Sequence, residues 1–279
     1  MKKKIKLLFI LLLLFAILIV CYSRYIEPER LIVKEITVET EMDIEECRIV
    51  FFTDTHFGAL YDEKHIERIV EMINGLDADI VIFGGDLIDN YARDKGILDM
   101  EYFQEAFSRI EAKVGKYAVF GNHDYGGGAI RIYETFMNDC GFLVLDDEAV
   151  FLEEFNIEII GFDDYLLGQS EEDFYHIQSD EFHLIVTHEP VISKLIEGSG
   201  ENFILSGHTH GGQVSVPFIT KKLLPNGSDQ FVKGFYSMNG METDASTQMY
   251  VSSGIGLTKY PFRFFNIPEI IEINLNRKE

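Results

Sequence analysis

Two histidines that are one residue apart, His208 and His210, lie in the segment ILSGHTHGGQV with glycines on both sides. Neutral imidazole is the commonest metal ligand among side chains. Residues i and i+2 of an extended segment point to the same side, and neighbouring glycines let the backbone approach an ion or a bound anion. A tight turn is the alternative, because glycine also supplies the positive φ values that turns need. The segment favours a metal site without establishing one.

Four other apolar segments also end in side chains that can bind metals. A helix cap or a turn could explain each cluster singly. Together they favour a shared site, because ligands of open α/β sheets bind outside the carboxyl ends of the strands. Five of the eight histidines fall at these segment ends, whereas His65, His176 and His183 do not and are expected to be structural or solvated. The four clusters are Asp54 with His56, Asp86, Asn122 with His123 and Asp124, and His188.

The elements that must position these side chains alternate between strand and helix patterns. CRIVFFTD, ADIVIFGGD and GKYAVFGNHD are short apolar runs typical of buried strands. Segments between and after them, such as EKHIERIVEMINGL, repeat apolar residues at helical spacing. This β-α-β-α order predicts parallel strands with helices packed outside. Further apolar strands in the second half predict an α/β chain with more than one sheet.

The ordered set D-x-H, G-D, G-N-H-D, H and G-H-x-H resembles the motif set of the calcineurin-like metallophosphoesterase family, from about residue 45 to the end. The segments SGHTHGGQVSVP and SSGIGLTKYPFRFFNIPE are further similar to membrane-anchored bacterial members, some of which act on a UDP-diacylglucosamine lipid precursor or on other phosphodiesters. The resemblance implies a β-sandwich of two mixed sheets flanked by helices. It also implies an enzyme that hydrolyses a phosphodiester or pyrophosphate bond, with lipid-linked or cell-envelope substrates as candidates.

By the same resemblance, the clustered side chains hold two divalent metal ions. Asp86 is expected to bridge the two ions. Ligands of the carboxylate, imidazole and amide types suit Mn²⁺, Fe²⁺ or Zn²⁺, and a set without sulfur does not select one of them. Two such ions lie roughly 3.5–4 Å apart in centres of this kind, where they acidify a shared water and clamp the phosphoryl oxygens. The expected ligands are Asp54, His56, Asp86 and His210 for one ion, and Asp86, Asn122, His188 and His208 for the other.

The resemblance gives the remaining two residues of G-N-H-D a catalytic role. His123 is expected to face the substrate, where it would stabilise transferred charge or protonate the leaving oxygen. Asp124 is expected to accept a hydrogen bond from the His123 ring and to fix its tautomer. A purely structural role is the alternative for His123.

The N-terminus has the composition of a membrane anchor. Four lysines precede an apolar run from Leu7 to about Tyr22, which is near the lower limit of the roughly 17–25 residues that a spanning helix needs. No A-x-A-like cleavage site follows, so an uncleaved anchor is favoured over a signal peptide, with a secreted form as the alternative. The lysines predict a cytoplasmic N-terminus and an extracytoplasmic domain. The predicted organisation is an anchor at 1–24, a linker and first strand at 25–44, and the phosphoesterase domain at 45–279.

The charge of the domain excludes some partners. Beyond residue 24 the chain carries 47 acidic and 19 basic side chains, a net charge of −28. Such a surface repels nucleic acid and contains no basic groove, so no nucleic-acid partner is expected. An anionic phosphoester substrate would meet its positive charge at the bound metals. The chain is expected to be a monomer.

Other features leave their alternatives open. A non-catalytic binding or scaffold protein on the same fold is the second hypothesis, but no ligand position is missing. Cys47 and Cys140 could pair, although nothing in the sequence requires it. Five aromatic side chains could line an acyl groove or belong to the core. They are Phe57, Tyr125, Phe218, Tyr260 and Phe262.

Overall fold

A computed structural model describes residues 2–170, 172–177, 179, 181–218, 220–222, 224–238 and 246–278. The helical elements agree with the predicted apolar periodicity, with short 3₁₀ turns between them. One of these 3₁₀ turns, Pro190–Lys194, directly follows the segment that ends in His188 and Glu189. The α-helices are α1 (Lys2–Tyr25), α2 (Ile66–Asn74), α3 (Tyr91–Asp94), α4 (Met100–Ser108), α5 (Asn122–Gly126) and α6 (Ile130–Asp139).

The strands include all those that the apolar runs predict, together with several shorter ones. The strands are β1 (Ile32–Thr40), β2 (Cys47–Phe52), β3 (Ile80–Phe83), β4 (Gly115–Ala118), β5 (Leu143–Val144), β6 (Glu148–Leu152), β7 (Ile157–Gly161), β8 (His176–Ile177), β9 (Phe182–Thr187), β10 (Glu197–Gly198), β11 (Glu201–Ser206), β12 (Gly234–Ser237), β13 (Ser246–Val251) and β14 (Glu269–Arg277).

Two mixed six-stranded sheets form the centre of the molecule. The first has the order β1-β14-β2-β3-β4-β5, in which β2 to β5 are parallel and β14 runs antiparallel to β2. The second has the order β12-β13-β11-β9-β7-β6, with antiparallel pairs only at its two edges. Strands β8 and β10 form a small separate pair. The predicted α/β class, with two mixed sheets flanked by helices, is confirmed.

The inner strands are apolar throughout because both of their faces are covered. In β2, Ile49 and Phe51 face the core between the two sheets, while Val50 and Phe52 face the helix layer. The period-2 geometry of a strand produces this alternation, and strands covered on both faces need no polar face. Each fully buried large side chain contributes about 1.5–3 kcal/mol through its burial. The sheets are therefore rigid supports for whatever their ends carry.

Helices α2, α4 and α6 cover the outer face of the first sheet through one apolar stripe each. Helix α2 buries Ile66, Ile69, Val70 and Ile73, the stripe that its sequence spacing predicts. Phe103 and Phe107 of α4 and Phe136 of α6 pack into the same cluster. These contacts fix the sheet from outside and leave its strand ends free for chemistry.

Helix α1 is apolar and exposed along most of its length, and its length and composition suit a membrane span or a signal sequence. Its C-terminal end contacts the domain. The backbone carbonyl of Ser23 accepts a hydrogen bond from the Arg263 amide at 3.0 Å, and the carboxylate of Glu27 accepts one from the Asn266 amide. The segment 263–266, just before β14, therefore joins the end of α1 to the folded domain.

Cys47 and Cys140 lie in different layers of the fold. Both are free and buried, Cys47 in the core between the sheets and Cys140 in the helix layer. Burial raises the pKa of each thiol to about 12, so little thiolate is present near neutral pH.

We therefore expect both thiols to resist iodoacetamide at pH 8 in the native protein and to react fully in denaturant. Peptide mass spectrometry after timed labelling measures this. Rapid native labelling of either cysteine, or a peptide linking the two, would contradict the description of two separate buried thiols.

Candidate metal centre

Five strands from both sheets direct polar side chains to one edge of the sandwich. Strands β2, β3 and β4 of the first sheet lead to Asp54 and His56, to Asp86, and to Asn122. Strands β9 and β11 of the second sheet lead to His188, and to His208 and His210. The structure brings all seven of these residues into one cluster, and six of them are buried, Asn122 being partly exposed.

The backbone at this edge is strained. Five of the clustered residues, none of them glycine, have positive φ values of 43° to 68°. Residues with a side chain rarely adopt this region, and such strain concentrates at functional sites where the surroundings enforce it. Here the strain turns each side chain out of its strand direction and into the cluster. The five are Asp54, His56, Asp86, His208 and His210.

One half of the cluster is formed by Asp54, His56 and His210. The Nε2 atoms of the two imidazoles lie 2.8 Å apart, and Asp54 Oδ1 lies 3.3 Å from His210 Nε2 and 3.8 Å from His56 Nε2. Two ring nitrogens and a carboxylate oxygen that converge on one point match the ligand types of a divalent transition metal.

The other half centres on His188 and His208. His208 Nδ1 lies 2.9 Å from Asn122 Oδ1, and His188 Nδ1 donates to the carbonyl of Gly84 at 2.8 Å. That hydrogen bond points His188 Nε2 inward, where it lies 3.2 Å from Asp86 Oδ2. Asp86 Oδ2 is also 3.2 Å from His56 Nε2, so this single oxygen lies between the two halves.

The four histidines of the cluster differ in their protonation preferences. Burial lowers the pKa of His56 and of His188, but the charge of Asp86 outweighs it and holds both well above the usual range. Burial lowers the pKa of His208 to about 3 and that of His210 to about 4, the charge of Arg263 adding to the effect on His210. Both rings are therefore neutral near pH 7, as a ligand must be. Burial opposes ionisation of Asp54, but His210 and His56 outweigh it and hold the pKa of its carboxyl well below the usual range.

The residues present fit a pair of divalent cations. His188 Nε2 is fully buried, and its contact with Asp86 Oδ2 at 3.2 Å lacks the geometry of a hydrogen bond. The facing Nε2 atoms of His56 and His210 can share at most one proton between them. Unpartnered buried polar atoms are costly, and a cation in each half of the cluster would satisfy these atoms together with both carboxylates.

Glycines beside the cluster are required for close approach. A Cβ on Gly207 would lie 2.3 Å from Asp54 Oδ2, and one on Gly121 would lie 2.4 Å from Asp86 Oδ1. Contacts this short do not occur between real atoms, so any side chain there would displace a carboxylate. The glycines that flank the histidine motif are thus explained by crowding as well as by turn geometry.

His123 lies beside the cluster with its side chain 31% exposed. Its Nδ1 donates to the backbone carbonyl of Asp89 at 2.5 Å. The expectation that Asp124 holds this ring is wrong. The Asp124 carboxylate instead accepts the backbone amides of Asp86, Leu87 and Gly121 at 2.8–3.1 Å. Successive side chains of a helix point roughly 100° apart, so adjacent residues of α5 face different partners.

Three further residues contact the cluster and were not singled out in the sequence. Asp89 Oδ1 lies 3.3 Å from His56 Nδ1, and the buried Arg263 places Nη2 3.3 Å from His210 Nδ1. The buried Glu189 has Oε1 3.8 Å from His208 Nδ1. Asp89 and Glu189 adjoin recognised motifs and could have been found by proximity, but no pattern marks Arg263 as buried.

The five candidate aromatic residues do not share one environment. Phe57 belongs to the core under the helix layer. Phe218 is 95% exposed and Tyr260 is 56% exposed, while Tyr125 and Phe262 are partly buried. The core alternative is therefore confirmed for Phe57, and the others remain available at the surface.

Comparison with known proteins places the chain in a family. The model of the calcineurin-like phosphoesterase family matches residues 47–212. The metallophosphoesterase YkuE of Bacillus subtilis (strain 168) is 29% identical over 265 residues, which cover 91% of this chain and 88% of that protein. A metallophosphoesterase of Aquifex aeolicus (strain VF5) is 27% identical over 273 residues, covering 94% and 98%. A transmembrane protein with metallophosphoesterase domain from Danio rerio is 27% identical over 268 residues, covering 90% and 58%.

The chain therefore belongs to the calcineurin-like phosphoesterase family. With its buried histidine and aspartate cluster, it is a metal-dependent phosphoesterase.

Asp89 gives the first test of this geometry. We expect Asp89→Asn to weaken metal affinity by about 10–100-fold, because a carboxylate that orients a ligating histidine typically contributes that much. Competition between the metal-free protein and a chelating dye measures the change. Asp94→Asn is the matched control, since Asp94 also binds Arg93, at 2.6 Å and 2.5 Å, but forms no hydrogen bond or ion pair with a histidine among the described residues. Equal losses in both variants would assign the effect to Arg93 instead.

Proposed function

We propose that this protein hydrolyses a phosphodiester or pyrophosphate bond at a centre of two divalent cations. The observation that carries the proposal is the position of Asp86 Oδ2, 3.2 Å from ligand nitrogens in both halves of the cluster. A carboxylate placed in this way can bridge two ions. The bound cations would supply Lewis acidity toward the phosphoryl oxygens and would lower the pKa of a water.

The side chains divide between the two ions as follows. Asp86 belongs to both sets, and Asn122 completes the second set through an amide oxygen that can coordinate. The sulfur-free ligands suit Mn²⁺, Fe²⁺ or Zn²⁺. The first set is Asp54, His56, Asp86 and His210, and the second is Asp86, Asn122, His188 and His208.

His123 is the proposed proton donor to the leaving oxygen. Its Nδ1–H donates to the Asp89 carbonyl, so a proton transferred to the leaving oxygen would come from Nε2 of the doubly protonated ring, which returns to the neutral form. The side chain is partly exposed at the edge of an otherwise buried cluster, where a substrate could reach it. Asp124 takes no direct part in this proton transfer. Its carboxylate accepts the backbone amides of Asp86 and Gly121 and so holds the turn before α5 in place.

The proximity of the apolar helix favours a substrate at the membrane. Two contacts connect the end of α1 to the centre: Ser23 to Arg263 at 3.0 Å, and Arg263 to His210 at 3.3 Å. The segment 260–265, which contains Arg263, also exposes Tyr260 and Phe265, whose side chains are 56% and 70% accessible. Aromatic side chains are favoured at membrane interfaces. A lipid-linked or cell-envelope phosphodiester, such as a UDP-diacylglucosamine type of lipid, fits this placement.

We propose that α1 is an uncleaved anchor, with a short basic cytoplasmic tail and the catalytic domain outside the cytoplasm. The boundaries are 1–24 for the anchor, 25–44 for the linker and first strand, and 45–279 for the catalytic domain, which is proposed to act as a monomer. Burial of Ser23 and Glu27 against the domain supports an anchor that remains attached after export.

We expect Asp86→Asn and His208→Ala to abolish hydrolysis of bis-p-nitrophenyl phosphate and to reduce bound metal. Removal of the bridging charge or of a ligating nitrogen leaves each ion incompletely held. Metal analysis of purified protein and turnover with added Mn²⁺ measure the two effects. Asp62→Asn and His65→Gln are control substitutions of partly exposed side chains away from the cluster. Unchanged turnover in either cluster variant would refute the two-ion proposal.

His123→Ala separates catalysis from metal binding in the same assay. We expect this variant to retain both ions and to lose 10²–10⁴-fold in rate, about the contribution of a general acid. A substrate with a good leaving group should recover part of that loss, because it needs less protonation. A loss of metal in this variant would show that His123 is a ligand.

The anchor has its own test. Intact-mass measurement of the membrane-extracted protein should give the full chain, and protease added to spheroplasts should digest the domain while sparing the cytoplasm. A mature N-terminus beyond residue 20 would instead identify a cleaved signal sequence. Protection of the domain from protease would reverse the proposed orientation.

A further inference from the structure

A cavity of about 730 Å³ lies at the end of α1. Its walls come from the last turn of the helix, from β1, and from the segments around Lys233 and Phe265. None of the proposed metal ligands lines it, so it is separate from the candidate metal centre. If α1 spans a membrane, this cavity lies at the depth of the lipid headgroups on the domain side.

Three basic side chains line the cavity, although the domain as a whole is acidic. The three are Arg30, Lys34 and Lys233, while the chain beyond residue 24 has a net charge of −28. Aromatic contacts hold two of the cations: Arg30 Nη1 donates to the Tyr22 hydroxyl at 2.9 Å, and Lys34 Nζ lies 4.9 Å from the centre of the Tyr250 ring.

Lys233 is held by a third, different contact. Its Nζ donates to Asn266 Oδ1 at 2.7 Å. Three ordered ammonium or guanidinium groups around one space are suited to a phosphate.

Two buried carboxylates line the same cavity and differ in how they are satisfied. Glu269 accepts the Ser253 amide at 2.9 Å and the Tyr250 hydroxyl at 3.2 Å. Glu27 is 1% exposed, and its Oε1 accepts the Asn266 amide. Its Oε2 is buried and has no hydrogen-bond partner among the described residues. Buried polar atoms normally have a hydrogen-bond partner, so a ligand that donates a hydrogen bond to this oxygen would be favoured.

We propose that this cavity binds the headgroup of a phosphatidylglycerol molecule in the surrounding membrane. The three cations would bind the phosphate, and a glycerol hydroxyl would donate to Glu27 Oε2. Three cations and two carboxylates leave one net positive charge, which a singly anionic headgroup neutralises. The proposal rests on the anchoring of α1 and does not depend on the proposed hydrolysis.

Native mass spectrometry of the full chain in detergent tests this proposal with two added lipids of equal acyl composition. We expect phosphatidylglycerol to bind roughly tenfold more tightly than phosphatidylcholine, whose headgroup has neither net charge nor a donor. The double variant Arg30→Gln/Lys34→Gln should lose that preference. Both side chains are exposed, so the substitutions leave the core unchanged.

Lys64→Gln/Lys95→Gln is the matched control, since it removes the same charge from exposed positions on the domain away from this cavity. It should retain the preference. Equal binding of the two lipids to the unmodified chain would overturn the proposal, as would an unchanged preference in the cavity variant. An equal loss of the lipid preference in the control variant would also overturn it, because the preference would then depend on the overall charge of the protein and not on the cavity. Phosphodiester turnover is not read in this experiment, so its failure would leave the proposed hydrolysis standing.

Discussion

Six ionisable side chains are buried in mutual contact at one edge of the sandwich, and the rest of the structure depends on holding them there. The folded chain alone cannot satisfy them, because imidazole nitrogens face each other and carboxylates crowd against glycines. Burial of such groups is costly unless opposite charge accompanies them. The left-handed backbone at five of the clustered residues adds further strain. The apolar sheets on either side provide the free energy that maintains this arrangement, and bound cations would relieve it. The six are Asp54, His56, Asp86, His188, His208 and His210.

Much of this could be predicted from the sequence because strand ends carry a strong signal. Short apolar runs followed by aspartate, asparagine or histidine placed all seven expected ligands at one edge, and the structure brings them together. Two kinds of information were out of reach. The partner of His123 depends on how α5 turns its side chains, so the family resemblance wrongly suggested Asp124. The burial of Arg263 depends on packing between the C-terminal segment and α1, residues more than two hundred positions apart, which no local pattern encodes.

The joint between α1 and the domain is more than an attachment point. Arg263 binds Ser23 through its backbone and approaches His210 through its side chain, and Asn266 contacts both Glu27 and His210. The same short segment therefore holds the helix end and one imidazole of the cluster. In a buried hydrogen-bond network, a movement of one group shifts the groups bonded to it. The position of the helix end and the orientation of that imidazole are therefore linked. If α1 is the proposed anchor, this link would hold the candidate metal centre at a fixed height above the bilayer.

The last strand has an unusual place in the first sheet. Strand β14 lies between β1 and β2, paired in register with both, so the final residues of the chain form the interior of that sheet. Residues 263–266, which brace the cluster, come immediately before it. Among the described strands β1 pairs only with β14, so it has no partner until β14 has been synthesised. The first sheet therefore closes only after residues 263–266 and β14 have both been made, and the candidate metal centre is completed at the same stage.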